Sequence, residues 1–172
     1  GALTFRVDQS FGNCPQYIKP RKWWWSAAND AHQENHRGRE NGDGAHDISV
    51  STRSSHLSQS QMARIEKAET IFVASGYRGE GEDPRFGNDA SHRGGPAGFV
   101  YVEDANKLIL PDYSGNDHFN TIGNLALDPR MGITFPMYET GGMIQLSGAV
   151  KVDFDAAKAA ERFPGARRVI EF

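Results

Sequence analysis

After residue 69 the chain alternates short apolar runs with turn-forming residues, and this rhythm restricts its fold more than any other feature. The runs TIFVAS (70–75), PAGFVYVED (96–104), KLILPDY (107–113), RMGITFPMY (130–138), GGMIQLSGAVKVD (141–153) and RRVIEF (167–172) are strand-sized and rich in β-branched and aromatic residues. Ala105-Asn106 and Glu139-Thr140-Gly141-Gly142 sit where tight hairpin turns belong. Six short strands joined this way are expected to pair antiparallel. An open sheet would leave unpaired edges, so a small barrel that closes on itself is the expected solution.

Three segments between these runs carry helical spacing. In LSQSQMARIEKAE (57–69), Leu57, Met62, Ile65 and Ala68 fall near one face, with Ser58 or Ser60 as N-cap. In SGNDHFNTIGNLALDP (114–129), Phe119, Ile122, Leu125 and Ala126 share a face, and the helix stops before Pro129. DAAKAAERFPG (155–165) is a short helix ended by Pro164 and Gly165. GYRGEGEDPRFGND (76–89) reads as a turn-rich loop. The fold class is therefore α+β, dominated by β.

The first third of the chain behaves differently. Residues 26–56 hold only Ile48 and Val50 as large apolar side chains, too few to offset the entropy of ordering them. The chain divides into an amino-terminal extension, 1–56, with a polar loop at 26–56, and a domain at 57–172. Four histidines, His32, His36, His46 and His56, lie in the polar tract. His32 and His36 have the spacing that puts two imidazoles on one helical face. No cysteine or placed carboxylate completes a tetrahedral set, and Gly38, Gly42 and Gly44 oppose a helix. A solvated loop is the preferred reading, with no metal site.

Composition removes several functions. The chain has 172 residues, a net charge of -3 and 38% hydrophobic residues, which suits one domain and lacks the basic footprint of a nucleic-acid binder. No apolar run is long enough to cross a bilayer. Cys14 stands alone, so no disulfide framework forms within the chain. The start Gly1-Ala2-Leu3 has no charged n-region or long apolar h-region, so no signal peptide is expected. The missing initiator Met and the end inside a strand suggest excision from something longer. A reducing, cytoplasmic compartment is the default expectation.

Two polar, glycine-containing segments carry the chemistry. The first is Asp89-Ala90-Ser91-His92-Arg93-Gly94-Gly95-Pro96, read as a turn before a strand. The second, Asp112 to Thr121, lies at a strand-to-helix junction. A helix N-terminus presents unpaired N–H groups and partial positive charge, which suits an anion. Ser114 or Asn116 would cap it, or a phosphate would take that place, with Ser91 and Arg93 supplied by the neighbouring strand end. A guanidinium bonds phosphate oxygens in pairs. Without a ligand, capping alone explains Ser114 and Asn116. No Walker motif, no G-x-G-x-x-G after a strand and no G-x-S-x-G elbow is present.

The run ASHRGGPAGFVYVEDANKLILPDYSGNDHFNTIGNLALDPRMGITF, followed by MIQLSGAV, resembles the pyridoxamine 5′-phosphate oxidase-like family, the FMN-binding split barrels. The motifs SHRGGP, PDYSGN, FNTIGNL, DPR and QLSG occur in that order, which is more specific than any one alone. SFGNCPQYI looks like a segment found ahead of the barrel in one subgroup, often joined to a flavin- and iron–sulfur-containing reductase module. The resemblance covers about residues 8–20 and 57–172. It implies a six-stranded antiparallel split β-barrel with flanking helices, working as a homodimer, with FMN in a cleft built from both chains. The implied cofactor residues are Ser91 and Arg93 on one side and Asn116, Asn120 and Thr121 on the other. Tyr113 and Ser114 would edge the flavin ring, and Gln145 would reach a ring or ribitol oxygen. The Arg-Lys pair that pyridoxamine phosphate oxidases carry near positions 120 and 121 is missing, which leaves Arg93 more of the phosphate and argues against that reaction.

The implied function is an FMN-dependent oxidoreductase domain, acting on a small-molecule substrate or a nicotinamide donor, or with a reductase domain of a longer natural chain. No protein nucleophile is required, and no catalytic residue is assigned. The alternative is a non-catalytic split barrel that binds flavin or haem, or serves in dimerisation. Cys14 is either a packing residue or a redox thiol near Lys19, Arg21 and Lys22. Trp23, Trp24 and Trp25 are a lid or an interface anchor. His92 and His118 flank the phosphate segments as loop residues or proton donors.

Overall fold

The computed structural model describes residues 4, 6, 7, 18–22 and 51–172. Cys14, the three tryptophans and His32, His36 and His46 lie outside the described residues. The chain divides into two compact units: residues 1–18 with 56–172, and residues 19–55.

Among the described residues, the larger unit is mainly β, with two four-stranded antiparallel sheets and three helices. In chain order its elements are α1 (Gln59–Ile65), β1 (Thr70–Tyr77), β2 (Gly87–Gly94), β3 (Tyr101–Asp104), β4 (Lys107–Tyr113), α2 (Asn120–Leu127), β5 (Arg130–Met137), β6 (Gly142–Ala149), β7 (Lys151–Asp153), α3 (Ala156–Arg162) and β8 (Ala166–Glu171). The first sheet runs β2-β1-β5-β6 and the second β3-β4-β8-β7. All pairings are antiparallel.

Eight strands appear where the sequence suggested six, for two local reasons. The segment read as a turn at 89–96 is the body of β2, paired with β1 from Thr70↔Gly94 to Tyr77↔Gly87. The run 141–153 is two strands, one in each sheet. They meet at buried Val150, whose N–H donates to the Pro129 carbonyl.

Alternation along β1 explains the core. Ile71, Val73 and Ser75 point inward, and Phe72 and Ala74 outward. Ile71, Val73, Met131, Ile133, Phe135 and Ile144 of the first sheet meet Leu108, Leu110 and Ile170 of the second in one cluster. Each such side chain contributes about 1.5–3 kcal/mol when fully buried. Ile65 of α1 and Ile122 and Leu125 of α2 join the same cluster. The second sheet's other face is covered by α3, through Ile109, Val169, Ala159 and Phe163. Ser58 caps α1 with a reciprocal Gln61 bond, and Asp155 caps α3. Among the described residues, no helix is long and apolar enough to cross a membrane.

Candidate functional site

The inner face of β2 changes character along its length. Asp89, Ser91 and Arg93 alternate on that face, opposite Ser75, Val73 and Ile71 of β1. Polar groups on an inward face need partners, and α2 supplies one. Thr121 Oγ1 donates to Asp89 Oδ2 at 2.6 Å, in a buried pair. Asn124 Nδ2 donates to Ser75 Oγ at 3.2 Å. Two side-chain bonds therefore dock α2 against the first sheet, each from a different strand.

The entry to α2 is unusual. Its N-cap is Phe119, in the left-handed region at φ 55°, and no side chain caps the helix. Asp117 is also left-handed, at φ 58°. Each such residue costs about 1–2 kcal/mol outside glycine. Neither Ser114 nor Asn116 takes the capping place the sequence offered them. The Asn116 carboxamide oxygen instead accepts the His118 backbone N–H at 3.1 Å. The first N–H groups of α2 have no side-chain acceptor from a cap, which leaves them available to an anion.

These segments line a cleft that is partly open to solvent. Ser91, Arg93, Tyr113, Ser114, Asn116, Asn120 and Thr121 all line it, so seven of the eight residues picked from the sequence are brought together. Gln145 is not among the lining residues. It sits exposed on β6, at the far edge of the first sheet from β2. The Thr121 hydroxyl is already committed to Asp89, so that residue offers the cleft its backbone N–H.

The cleft's electrostatic centre is a group the sequence reading did not assign. Asp112, on β4 and only 5% exposed, accepts from Arg93 Nη1 through Oδ1 and from Arg168 Nε through Oδ2, both at 2.9 Å. Asp112 and Arg168 are direct partners in the β4–β8 register. The Arg168 guanidinium also lies over the Phe119 ring, 4.9 Å from its centroid. Two cations against one anion leave this triad one net positive charge, while the Asp117 carboxylate also lines the cleft. Each guanidinium gives Asp112 a single N–H of its five.

His92 lines the cleft from the opposite face of β2, and its ring meets Phe72 edge-on at 5.7 Å. Burial, then the charge of Arg93, lowers its pKa below the usual histidine value. Among the described residues, no group of three or more His, Cys, Asp or Glu is placed to hold a metal ion.

No family model matches the chain. No curated protein matches it either. Among the solved structures similar to it are two. One is a “putative pyridoxamine 5′-phosphate oxidase” of Lactobacillus delbrueckii, with 15% identity and a TM-score of 0.49, covering 69% of this chain and 89% of that one. The other is tagged HupZ of Group A Streptococcus, with 14% identity and a TM-score of 0.47, covering 67% of this chain and 87% of that one. At such identities the likeness concerns fold alone. What the chain binds has to be read from its own cleft.

Proposed function

We propose that this chain is an FMN-binding domain of the split-barrel kind, with the flavin phosphate held at the mouth of α2 and the ring lying along the cleft. The observation that carries this reading is the meeting of an uncapped helix N-terminus with a pair of guanidiniums in one cleft. Helix amides and guanidinium forks each suit a phosphate monoester. Phe99, Tyr113 and Phe119 give the same cleft apolar and aromatic walls for a planar ring.

Bound flavin would supply hydride or electron transfer. The chain's own part is to hold and orient it. Arg93 and the N–H groups of Asn120 and Thr121 grip the phosphate. Ser91, buried beside Arg93 on β2, offers a hydroxyl. Tyr113 and Ser114 edge the ring. The oxidoreductase reading follows from that chemistry, with a small organic molecule or a nicotinamide as the second reactant. A barrel that binds a flavin or haem without turnover is the competing reading.

A homodimer belongs to the same proposal. The first sheet's outer face carries Phe72, 44% exposed, and Met143, 63% exposed, and the one charged side chain at its outward strand positions is Arg130, at the start of β5. An exposed sheet face of that composition fits a second copy of the chain. His92 lies on that face and also lines the cleft, so a partner seated there would border the flavin. Gln145, out of reach within its own chain, shares the face and would approach the partner's cleft.

The test is direct. The purified protein is expected to be yellow, or to become so with added FMN, and heat denaturation should release FMN rather than FAD or haem. A colourless protein that leaves FMN fluorescence unquenched at any concentration contradicts the proposal.

A further inference from the structure

Arg93 answers for only half of the positive charge in the cleft. The remainder comes from Arg168 on the last strand, and both are tied to one buried carboxylate. We infer that Arg168 is a second phosphate-binding residue and that Asp112 is the positioning residue that splints the two guanidiniums, so that together they select a phosphorylated flavin over the unphosphorylated one. This inference rests on the FMN reading above.

The geometry argues for it in three steps. Arg168 lines the cleft together with Arg93 and the start of α2, and its side chain is 17% exposed. Its Nε is the atom bonded to Asp112, so the four N–H groups on its two Nη atoms remain for another acceptor. Arg93 is likewise held through one Nη1 hydrogen, with four N–H groups left. The Phe119 ring, at the N-cap of α2, lies against Arg168, its centroid 4.9 Å from the guanidinium carbon, and so keeps that cation beside the helix mouth. Phosphate recognition by arginine depends on a correctly oriented planar fork. Asp112 accepts from both arginines through different oxygens and is itself buried, so it sets both planes before any ligand arrives.

Charge counting and positioning predict opposite outcomes at Asp112. If the carboxylate only diluted positive charge, Asp112→Asn would tighten FMN, because the cluster would go from one net positive charge to two. If it holds the forks in register, the same change loosens FMN despite the added charge, since an amide nitrogen cannot accept from the second arginine.

The experiment titrates FMN and riboflavin into the full chain by quenching of flavin fluorescence, with far-UV circular dichroism as the folding control. Arg168→Gln is expected to weaken FMN about ten- to a hundredfold, the effect of losing a charged hydrogen-bond partner, while riboflavin affinity changes less than about twofold on the same footing. Arg168→Lys, which keeps the charge and loses the fork, should fall between. Asp112→Asn should weaken FMN several-fold and leave riboflavin unchanged. Unchanged FMN affinity in Arg168→Gln, or an equal loss for both flavins, removes Arg168 from the phosphate site. Tighter FMN in Asp112→Asn overturns the positioning role. If the unaltered protein binds neither flavin, the FMN reading fails, and the arginine pair is then judged with inorganic phosphate. Thermal stabilisation by phosphate over chloride at matched ionic strength, lost in Arg168→Gln, would uphold an anion site of these residues. No stabilisation of the unaltered protein would overturn it.

Discussion

Asp112 gives one β4 carboxylate two duties, pairing across strands with Arg168 and across sheets with Arg93. Removing it by Asp112→Ala leaves two partly buried guanidiniums without their shared acceptor. We expect a loss of about 3 kcal/mol in stability, the lower end for a broken buried ion pair because both arginines retain some exposure; urea unfolding would show it. Arg93→Ala acts on binding more than on folding. Its FMN dissociation constant should rise about tenfold or more, the range for a charged hydrogen bond, and a titration giving the original constant would contradict its role. His92 reports on the same charge. Its lowered pKa means that the folded chain resists taking a proton that the unfolded chain accepts near the usual value of 6.5. Stability linked to His92 is therefore present above about pH 6.5 and declines as pH falls below it. In Arg93→Ala, the His92 titration followed by NMR should move back up toward the ordinary value. No movement would mean that Arg93 does not act on the ring.

At the scale of elements, what the sequence hid is what the cleft required. Strand β2, GNDASHRG, lacks any large apolar side chain, because its inner positions face α2 and the cleft rather than the core. Hydrophobic alternation has nothing to mark there, so its glycines and polar residues read as a turn. Ser91 and Arg93 nevertheless share one side, since their two-residue spacing puts them on one face of a strand. Arg168 was illegible for another reason. Only the β4–β8 register brings it opposite Asp112, and that pairing spans 56 residues of chain. The α2 helix was legible from Ile122, Leu125 and Pro129, but its missing side-chain cap was not, because Ser114 and Asn116 look like caps in sequence. Gly95 joins β2 to the next hairpin, and a Cβ placed on it would lie 2.7 Å from Cβ and Cγ of Phe99. Phe99 is buried and lines the cleft, and a clash at its own Cβ cannot be relieved by rotating the ring. Gly95→Ala should cost about 2 kcal/mol, as overpacking does, and lower the melting temperature by roughly 4–8 °C for a domain of this size. An unchanged melting curve would show that this junction gives way easily.

At the scale of the molecule, the two sheets are treated unequally. The second is covered on one side by the core and on the other by α3, whereas the first presents Phe72 and Met143 outward. The six-stranded expectation described the repeating hairpins well, and missed that the chain changes sheets at Val150, because a buried valine inside a strand-like run carries no sign of the bend. If the outer face of the first sheet is where two copies meet, sedimentation should give a dimer, and Phe72→Asp should shift it to monomer with the fold intact. A monomer in the unaltered protein at high concentration would remove the shared-cleft arrangement.

The central claim concerns where a phosphate sits, and a crystal structure of the chain grown with riboflavin 5′-phosphate measures it most directly. The account predicts the phosphate within hydrogen-bonding distance of the Arg93 and Arg168 guanidiniums and of the first N–H groups of α2, with Asp112 still bridging both arginines. Density for the flavin elsewhere, or a cleft closed by the protein's own side chains while FMN is in excess, would contradict it.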